Sequence, residues 1–159
     1  MIEVYDNFFG DHIHKEIFNK LYHSHNWHIS GGDSNKPEIF WHIEDLQDDE
    51  YYSDYLFQII KDRLGGSYRY ERIYANGQTA GQCGTSHVDD GDLTFLYYPA
   101  PRWELSWQGH LIFAGEERII EYKPNRAVLF DAKLPHYADA PSRFFGNLRI
   151  SLAYKLWKE

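Results

Sequence analysis

The feature that most constrains the fold is a series of six short runs rich in β-branched and aromatic residues, all after residue 66. The runs are Tyr68–Tyr74, Leu93–Tyr98, His110–Phe113, Arg118–Tyr122, Ala127–Phe130 and Leu148–Leu156. Clusters of turn-forming residues separate them, namely Ala75–Asn76–Gly77, Ala114–Gly115 and Lys123–Pro124–Asn125. Runs of this length and composition, bounded by turn residues, are typical of β-strands. The aromatic content, 18% of all residues, suits a sheet-rich fold because large rings can fill its interior.

The part of the chain before residue 67 has a different pattern. Ile2–Phe9 alternates loosely and predicts an opening strand, and Asp11 is a plausible N-cap of a first helix. His23–Pro37 is predicted to be a loop because glycine and short polar residues cluster there. The apolar residues of a second helix follow helical spacing up to Gly65–Gly66: Tyr52, Tyr55, Leu56, Ile59, Ile60 and Leu64.

This order of helices followed by strands predicts an α+β fold that is mostly β, with helices on one face of an antiparallel sheet or sandwich. A jelly roll fits the number of strands. The 159 residues contain no internal repeat and no linker, so we expect one domain. Within it, residues 1–66 form the helical support with the opening strand, and residues 67–159 form the β core.

Charge and cysteine content exclude several functions. The formal net charge is −8, which argues against a general nucleic-acid binder or a polybasic membrane-surface protein. A single cysteine, Cys83, excludes an intramolecular disulfide framework and any site built from several cysteines. The sequence has no apolar run of membrane-spanning length, and its start is unlike a signal peptide. These features predict a soluble, cytoplasmic protein, with no membrane partner.

The most informative motif is His87–Val88–Asp89. Residues two apart in a strand point to the same face, so His87 and Asp89 can reach one point in space. His136, which follows the apolar run Ala127–Phe130, is the candidate for a third ligand from another strand. Two histidines and one carboxylate form a facial triad, which leaves coordination positions open and suits non-heme Fe(II) and oxygen chemistry.

A second motif, Arg149–Ile150–Ser151, lies in the last predicted strand. Arg149 and Ser151 share a face, and a guanidinium beside a hydroxyl is a good receptor for a carboxylate.

Several segments together resemble the prolyl 4-hydroxylase-like branch of the 2-oxoglutarate- and Fe(II)-dependent oxygenases, over most of the chain. Tyr98–Pro99 stands where that branch has a Tyr-Leu-Asn signature, and Arg149 stands where many collagen-type members have lysine. The matching pieces, in chain order, are Val4–Phe8, His87–Val88–Asp89 with Asp90–Asp92, Leu93–Tyr98, Trp107–Leu111, Pro124–Phe130, His136 and Arg149–Ser151.

The resemblance implies a double-stranded β-helix (jelly roll) with supporting N-terminal helices. It implies Fe(II) held by His87, Asp89 and His136. It implies 2-oxoglutarate as cosubstrate, with its far carboxylate on Arg149, Ser151 and Tyr98, and ascorbate as reductant. With O2, the cosubstrate would give succinate and CO2 while an unactivated C–H, most simply that of a prolyl residue in a peptide or protein, is hydroxylated. Bacterial or viral origin fits so short a catalytic domain.

Other functions stay open. The same chemistry could act on a free amino acid or small metabolite. It could act on a nucleic acid, as in the alkylation-repair branch, but that branch has a second arginine where this chain has Lys155, and the charge is unfavourable. A non-enzymatic jelly-roll binding module is the alternative outside oxygenase chemistry. Specificity is expected on the loops Ser30–Pro37, Asn76–Ser86 and Pro99–Ser106.

The remaining candidate ligands have simpler explanations. His12, His14, His23 and His25 form i, i+2 pairs that point apart on a helix, so we expect a solvated face. His42 and Glu44 resemble a His-x-Glu pair but lack downstream partners. Cys83 is expected to be a buried or loop thiol. Trp103 and Trp107 could belong to the core or line a peptide groove.

Overall fold

The computed structural model describes residues 1–31 and 39–159, which fold into two antiparallel sheets and two α-helices. The helices are α1, Asp11–Tyr22, and α2, Phe57–Leu64, and a π-helical segment, Tyr51–Leu56, leads directly into α2. The strands are β1 Ile2–Tyr5, β2 His28–Gly31, β3 Ile39–Ile43, β4 Tyr68–Gln78, β5 Leu93–Tyr97, β6 Leu111–Phe113, β7 Arg118–Ile120, β8 Ala127–Asp131, β9 Tyr137–Ala138 and β10 Arg149–Lys158. The fold is mostly β, as predicted.

The larger sheet has the strand order β1-β8-β5-β10-β4-β3-β2, and the smaller sheet has the order β7-β6-β9. Strand β10 lies at the centre of the larger sheet, between β5 and β4. Its side chains alternate between two environments. Ile150, Leu152, Tyr154 and Leu156 belong to the apolar core that packs on the helices, so Arg149, Ser151 and Lys155 occupy the opposite face.

That opposite face of the larger sheet packs against the smaller sheet. Phe113 of β6 meets Phe130 of β8 edge to face, with ring centroids 4.9 Å apart. Leu111, Ile120, Tyr122 and Tyr98 complete this second apolar cluster. Polar residues at β10 positions 149, 151 and 155 therefore lie inside the molecule, between two sheets, and all three are buried.

The structure corrects four local predictions. Ala75–Asn76–Gly77 is not a turn, because β4 runs through it and pairs there with both β10 and β3. A β-carbon at Gly77 would lie 2.8 Å from the Leu148 side chain, so a larger residue there would have to displace that leucine. Asp11 is not the N-cap of α1: Gly10 occupies that position, and Asp11 contributes its charge in the first turn.

Strand β2 occupies His28–Gly31, so the loop predicted over His23–Pro37 was wrong in that part; residues 32–38 lie outside the described residues. The opening strand ends at Tyr5 rather than Phe9. In the described part of the chain, no helix has the length and apolarity that crossing a membrane requires.

Candidate active site

Three predicted ligands meet between the sheets. His87 and His136 face each other in an isolated antiparallel bridge, with His87 N donating to His136 O at 3.0 Å and His136 N donating to His87 O at 2.9 Å. Asp89 follows two residues after His87, outside any regular strand, whereas the sequence suggested a strand there. One ligand atom from each of the three residues lies within 4.8 Å of the others.

Backbone carbonyls fix the orientation of both imidazoles. The Nδ1 atom of His87 is 2.8 Å from Thr85 O, and the Nδ1 atom of His136 is 2.8 Å from Leu134 O. A carbonyl oxygen only accepts, so each Nδ1 donates its proton there and Nε2 is the ring nitrogen left available for a metal. The Nε2 atoms face Asp89, at 3.5 Å for His87 and 3.2 Å for His136. Metal-binding histidines have the same arrangement, with the other ring N–H donating to a carbonyl or a carboxylate.

The Asp89 carboxylate is buried and surrounded by donors. Burial alone would raise its pKa, but hydrogen bonds from His136 and His87 and the positive charge of Lys155 hold the pKa well below its usual range. Thr94 Oγ1 donates to Asp89 Oδ2 at 2.7 Å, and the Lys155 ammonium forms an ion pair with the same oxygen. The group is therefore a carboxylate, the form that binds metals.

Arg149 lies on the same face of β10 as Lys155 and is 1% exposed. Its Nε donates to Gly109 O at 2.6 Å and its Nη1 donates to Gln78 Oε1 at 2.9 Å, while Nη2 has no partner among the described residues. Both partners are neutral, so the positive charge is buried without a counter-ion there. Such an arrangement is costly for the free protein and favourable for an anionic ligand.

Tyr98 is the neighbour of Arg149 across the sheet. Its ring lies 5.4 Å from the Arg149 guanidinium carbon, and its buried hydroxyl has no hydrogen-bond partner among the described residues. Burial raises the pKa of Tyr98, against the opposing charge of Arg149, so the hydroxyl keeps its proton and can donate. Ser151, also buried, follows Arg149 on the same face. Two unused donors, Nη2 and the phenol, thus accompany a buried cation.

Sequence reasoning missed four residues that hold these groups in place. Thr94 and Lys155 contact Asp89, Gln78 orients Arg149, and Tyr122 places its ring 5.0 Å from the Arg149 guanidinium. The signal for Thr94, Tyr98, Arg149 and Lys155 is strand alternation: they all belong to one face of two paired strands. Gln78 could not be found this way because it fell in the predicted loop Asn76–Ser86.

The other histidines singled out in the sequence differ in burial. His14 is buried rather than solvated, contrary to the prediction, and its Nδ1 is 2.6 Å from Tyr97 Oη. His12, His23 and His25 are exposed, as expected. His42 is also buried, with Nδ1 2.9 Å from Asn76 Oδ1. Its Nε2 has no hydrogen-bond partner in the described part of the chain.

The predicted aromatic cluster contacts Tyr122, whereas Cys83 lies in an exposed loop. The Trp103 ring stacks on Tyr122 with centroids 3.9 Å apart, and Trp107 packs on Phe145. Both tryptophans are half-buried, so they belong to a packed cluster that has one exposed side. Cys83 is an exposed loop thiol whose Sγ lies 3.8 Å from Asp139 Oδ1.

No family model matches this sequence, and no curated protein matches it. Solved structures do. A prolyl hydroxylase from Trichoplax adhaerens, in complex with a hypoxia inducible factor oxygen degradation domain peptide fragment, has a TM-score of 0.75 at 18% identity, covering 99% of this chain and 83% of its own. The viral collagen prolyl hydroxylase of Paramecium Bursaria Chlorella virus-1, in its 2OG complex, has a TM-score of 0.72 at 16% identity. That match covers 98% of this chain and 94% of the viral protein.

HygX from Streptomyces hygroscopicus, with nickel and 2-oxoglutarate bound, has a TM-score of 0.65 at 12% identity, covering 97% of this chain and 82% of its own. The chain therefore has the fold that these three proteins share, over nearly its whole length. This likeness concerns the fold, so the chemistry of the site must be argued from its own residues.

Proposed function

We propose that this protein is a 2-oxoglutarate- and Fe(II)-dependent oxygenase built on a double-stranded β-helix. The observation that carries the proposal is that two groups of side chains able to bind a ligand lie between the same two sheets. One is a two-histidine, one-carboxylate cluster in which Asp89 and His136 are buried, His87 is partly exposed, and both Nε2 atoms face Asp89. The other is a buried arginine with an unpaired Nη2 beside an unpaired tyrosine hydroxyl.

The first site fits Fe(II). His87, Asp89 and His136 supply two imidazoles and one carboxylate, the donor set of the facial triads that bind non-heme iron. When bound there, Fe(II) would supply the oxygen-activating chemistry by which 2-oxoglutarate is oxidised to succinate and CO2. The chain orients both imidazoles through the carbonyl oxygens of Thr85 and Leu134, and it keeps Asp89 ionised through its surrounding donors.

The second site fits the far carboxylate of 2-oxoglutarate. Arg149 Nη2 and Tyr98 Oη can each donate one hydrogen bond to it, and the buried guanidinium supplies the counter-charge. Gln78, Gly109 and the ring of Tyr122 hold the guanidinium in position before the ligand arrives. Ser151, on the same face, is proposed as a further donor. The surrounding apolar cluster excludes water, which strengthens these contacts.

We further propose that the substrate is a prolyl residue in a peptide or protein. Two of the similar structures are prolyl hydroxylases, and one of them holds a peptide. The net charge of −8 disfavours a nucleic-acid substrate. A small-molecule substrate is the second candidate, since HygX is also described with hygromycin B bound.

The test is succinate formation from 2-oxoglutarate with Fe(II), O2 and ascorbate, with and without a library of proline-containing peptides. We expect turnover in the wild-type protein that a productive peptide accelerates, with a mass gain of one oxygen in that peptide. His87→Ala and Arg149→Ala should lose this turnover. The matched controls His12→Ala and Arg69→Ala change exposed residues of the same types and should keep it.

Retained turnover in His87→Ala would contradict the assignment of the iron site. Turnover without any peptide product, but with an oxidised metabolite, would move the substrate to the second candidate. Failure of the wild-type protein to bind Fe(II), Mn(II) and 2-oxoglutarate would leave a jelly-roll binding module without this chemistry.

A further inference from the structure

The strongest unexplained feature of the site is Lys155. Its side chain is 2% exposed, and its ammonium forms an ion pair with Oδ2 of Asp89. It also lies 3.3 Å from Thr94 Oγ1 and 5.5 Å from the centre of the Tyr74 ring. The carboxylate of a proposed metal ligand is therefore paired with a buried ammonium. Nothing in the binding of Fe(II) by His87, Asp89 and His136 requires such a charge.

The two oxygens of Asp89 have different surroundings. Oδ2 accepts from Thr94 at 2.7 Å, pairs with Lys155, and lies 3.2 Å from His136 Nε2. Oδ1 lies 3.5 Å from His87 Nε2, the ring nitrogen that would itself bind the metal. Because Oδ2 is already occupied by an ammonium and a hydroxyl, Oδ1 is the oxygen that remains available to a metal.

An ammonium beside the site also opposes a second cation. A divalent ion placed among His87, Asp89 and His136 would repel the buried charge of Lys155, and burial limits the screening of that repulsion. The same charge reduces the electron density that Asp89 can donate. Lys155 therefore orients the carboxylate and weakens its hold on the metal at the same time.

We propose that Lys155 is a positioning residue that restricts Asp89 to one-oxygen coordination and that it does so at the expense of metal affinity. The inference rests on the proposed function, because it takes the triad to be a metal site. With one oxygen from Asp89, the protein occupies three of six coordination positions. With both oxygens it would occupy four, leaving one position fewer for the cosubstrate and oxygen.

The test replaces Lys155 by neutral residues and uses Mn(II) alone as the probe. Lys155→Gln keeps a hydrogen-bond donor, and Lys155→Met removes donor and charge together. We expect both variants to bind Mn(II) at least about tenfold more tightly than the wild-type protein. In Lys155→Met, water-proton relaxation by bound Mn(II) should fall by about a third, because one of three waters is displaced.

Two controls separate this role from general effects. Lys133 also contacts Asp89, but it is exposed and donates to the backbone oxygen at 2.9 Å, so Lys133→Met should leave Mn(II) affinity unchanged. Lys155→Arg retains the charge and should keep affinity close to that of the wild-type protein. Circular dichroism checks that each variant is folded. If Lys155→Met does not fold, Lys155→Gln decides the test.

The outcomes distinguish this inference from the proposed function. Wild-type binding of Mn(II) together with unchanged or weaker binding by folded Lys155→Gln overturns the role of Lys155 and leaves the metal site intact. Absence of Mn(II) binding in both proteins overturns the metal site and this inference with it. Tighter binding together with unchanged water relaxation supports the electrostatic part and contradicts the restriction to one oxygen.

Discussion

Tyr97 and Tyr98 are consecutive residues whose side chains serve opposite faces of β5. The Tyr97 ring belongs to the core that packs on the helices, where its hydroxyl donates to Asn125 Oδ1 at 2.9 Å. The Tyr98 ring points into the space between the sheets and stacks on Tyr122, with centroids 4.2 Å apart. Only one of the two hydroxyls is therefore left without a partner in the described structure, and that one lies beside Arg149.

This difference gives a prediction for Tyr98→Phe. The hydroxyl makes no hydrogen bond in the free protein, so its removal should leave the free energy of unfolding unchanged or slightly higher. Affinity for 2-oxoglutarate should fall about fivefold to tenfold, since one hydrogen bond of about 1 kcal/mol to the ligand is lost. Calorimetric titration of the Mn(II)-loaded protein and urea unfolding measure the two effects.

Tyr122→Phe is the matched control for Tyr98→Phe. Tyr122 Oη donates to Ile150 O at 2.7 Å and accepts from Ala100 N at 3.3 Å, so this variant should lose about 1 kcal/mol of stability. A fall in stability for Tyr98→Phe equal to that of Tyr122→Phe would show that the Tyr98 hydroxyl has a partner in solution.

At the scale of single residues, sequence reasoning worked best for candidate site residues that lie two positions apart, because side chains two apart in an extended chain point to the same side. The pairs His87 with Asp89 and Arg149 with Ser151 are each two residues apart, so one local rule places both members. Lys155 was recognised only as the residue at a second arginine's position, because its contact with Asp89 depends on how β10 lies relative to the segment after His87. His14 was misplaced because i, i+2 spacing does not reveal which helix face is buried.

Helix α1 is tied to the larger sheet by a polar contact as well as by apolar packing. His14 of the helix meets Tyr97 Oη, which also bonds Asn125. Asn125 in turn accepts from Phe9 N at 3.0 Å and donates to Phe9 O at 2.7 Å, so it fixes the chain just before the helix. One buried network thus sets the position of α1 on the sheet.

The network makes stability depend on pH. Burial lowers the pKa of His14 in the folded protein, against the opposing charge of Asp11, from an unfolded value of 6.5. Below pH 6.5 the unfolded chain binds the proton more readily, so the free energy of unfolding should fall as pH falls, until the folded pKa is reached. The slope from this one group cannot exceed about 1.4 kcal/mol per pH unit.

We expect His14→Asn, which retains a polar group near the position of Nδ1, to show a shallower fall in stability between pH 7.5 and 5.5. His12→Asn, at an exposed position of the same helix, should keep the wild-type slope. Urea unfolding in the presence of a chelator measures both. Equal slopes in all three proteins would mean that His14 titrates normally in the folded state.

Elements were predicted well where composition is distinctive and poorly where pairing overrides it. The runs at β5 and β8 were placed within one residue of their observed ends. The Ala75–Asn76–Gly77 segment has turn-forming residues, but pairing with strands on both sides keeps it extended. That pairing joins residues far apart in the sequence, and the local propensity of a segment carries no information about such partners.

At the scale of the whole molecule, the cluster of His87, Asp89 and His136 connects the two sheets. His136 directly precedes β9 of the smaller sheet, while Asp89 is held by Thr94 and Lys155 of the larger sheet. A metal bound to this cluster would cross-link the sheets and stabilise only the folded chain. Mn(II) at a hundredfold excess over its dissociation constant should stabilise the protein by about 2.7 kcal/mol.

For a chain of this length, that stabilisation corresponds to a rise in Tm of about 5–10 °C, measured by scanning calorimetry. Asp89→Asn should abolish the rise. Asp90→Asn, which changes the adjacent exposed aspartate, should retain it. A metal-dependent rise that persists in Asp89→Asn would place the stabilising ion elsewhere.

The alternation of β10 has a consequence for how such a chain can change length. Even-numbered positions from Ile150 to Leu156 fill the core, and odd-numbered positions carry Arg149, Ser151 and Lys155. Deleting or inserting one residue inside β10 would send each set to the other's side, exchanging charges for apolar groups at every position beyond the change. The exposed Ala114–Glu117 connection does not have side chains buried on two opposite faces. Insertions and deletions among homologues should therefore accumulate in connections of that kind, while the number of residues in β10 stays constant.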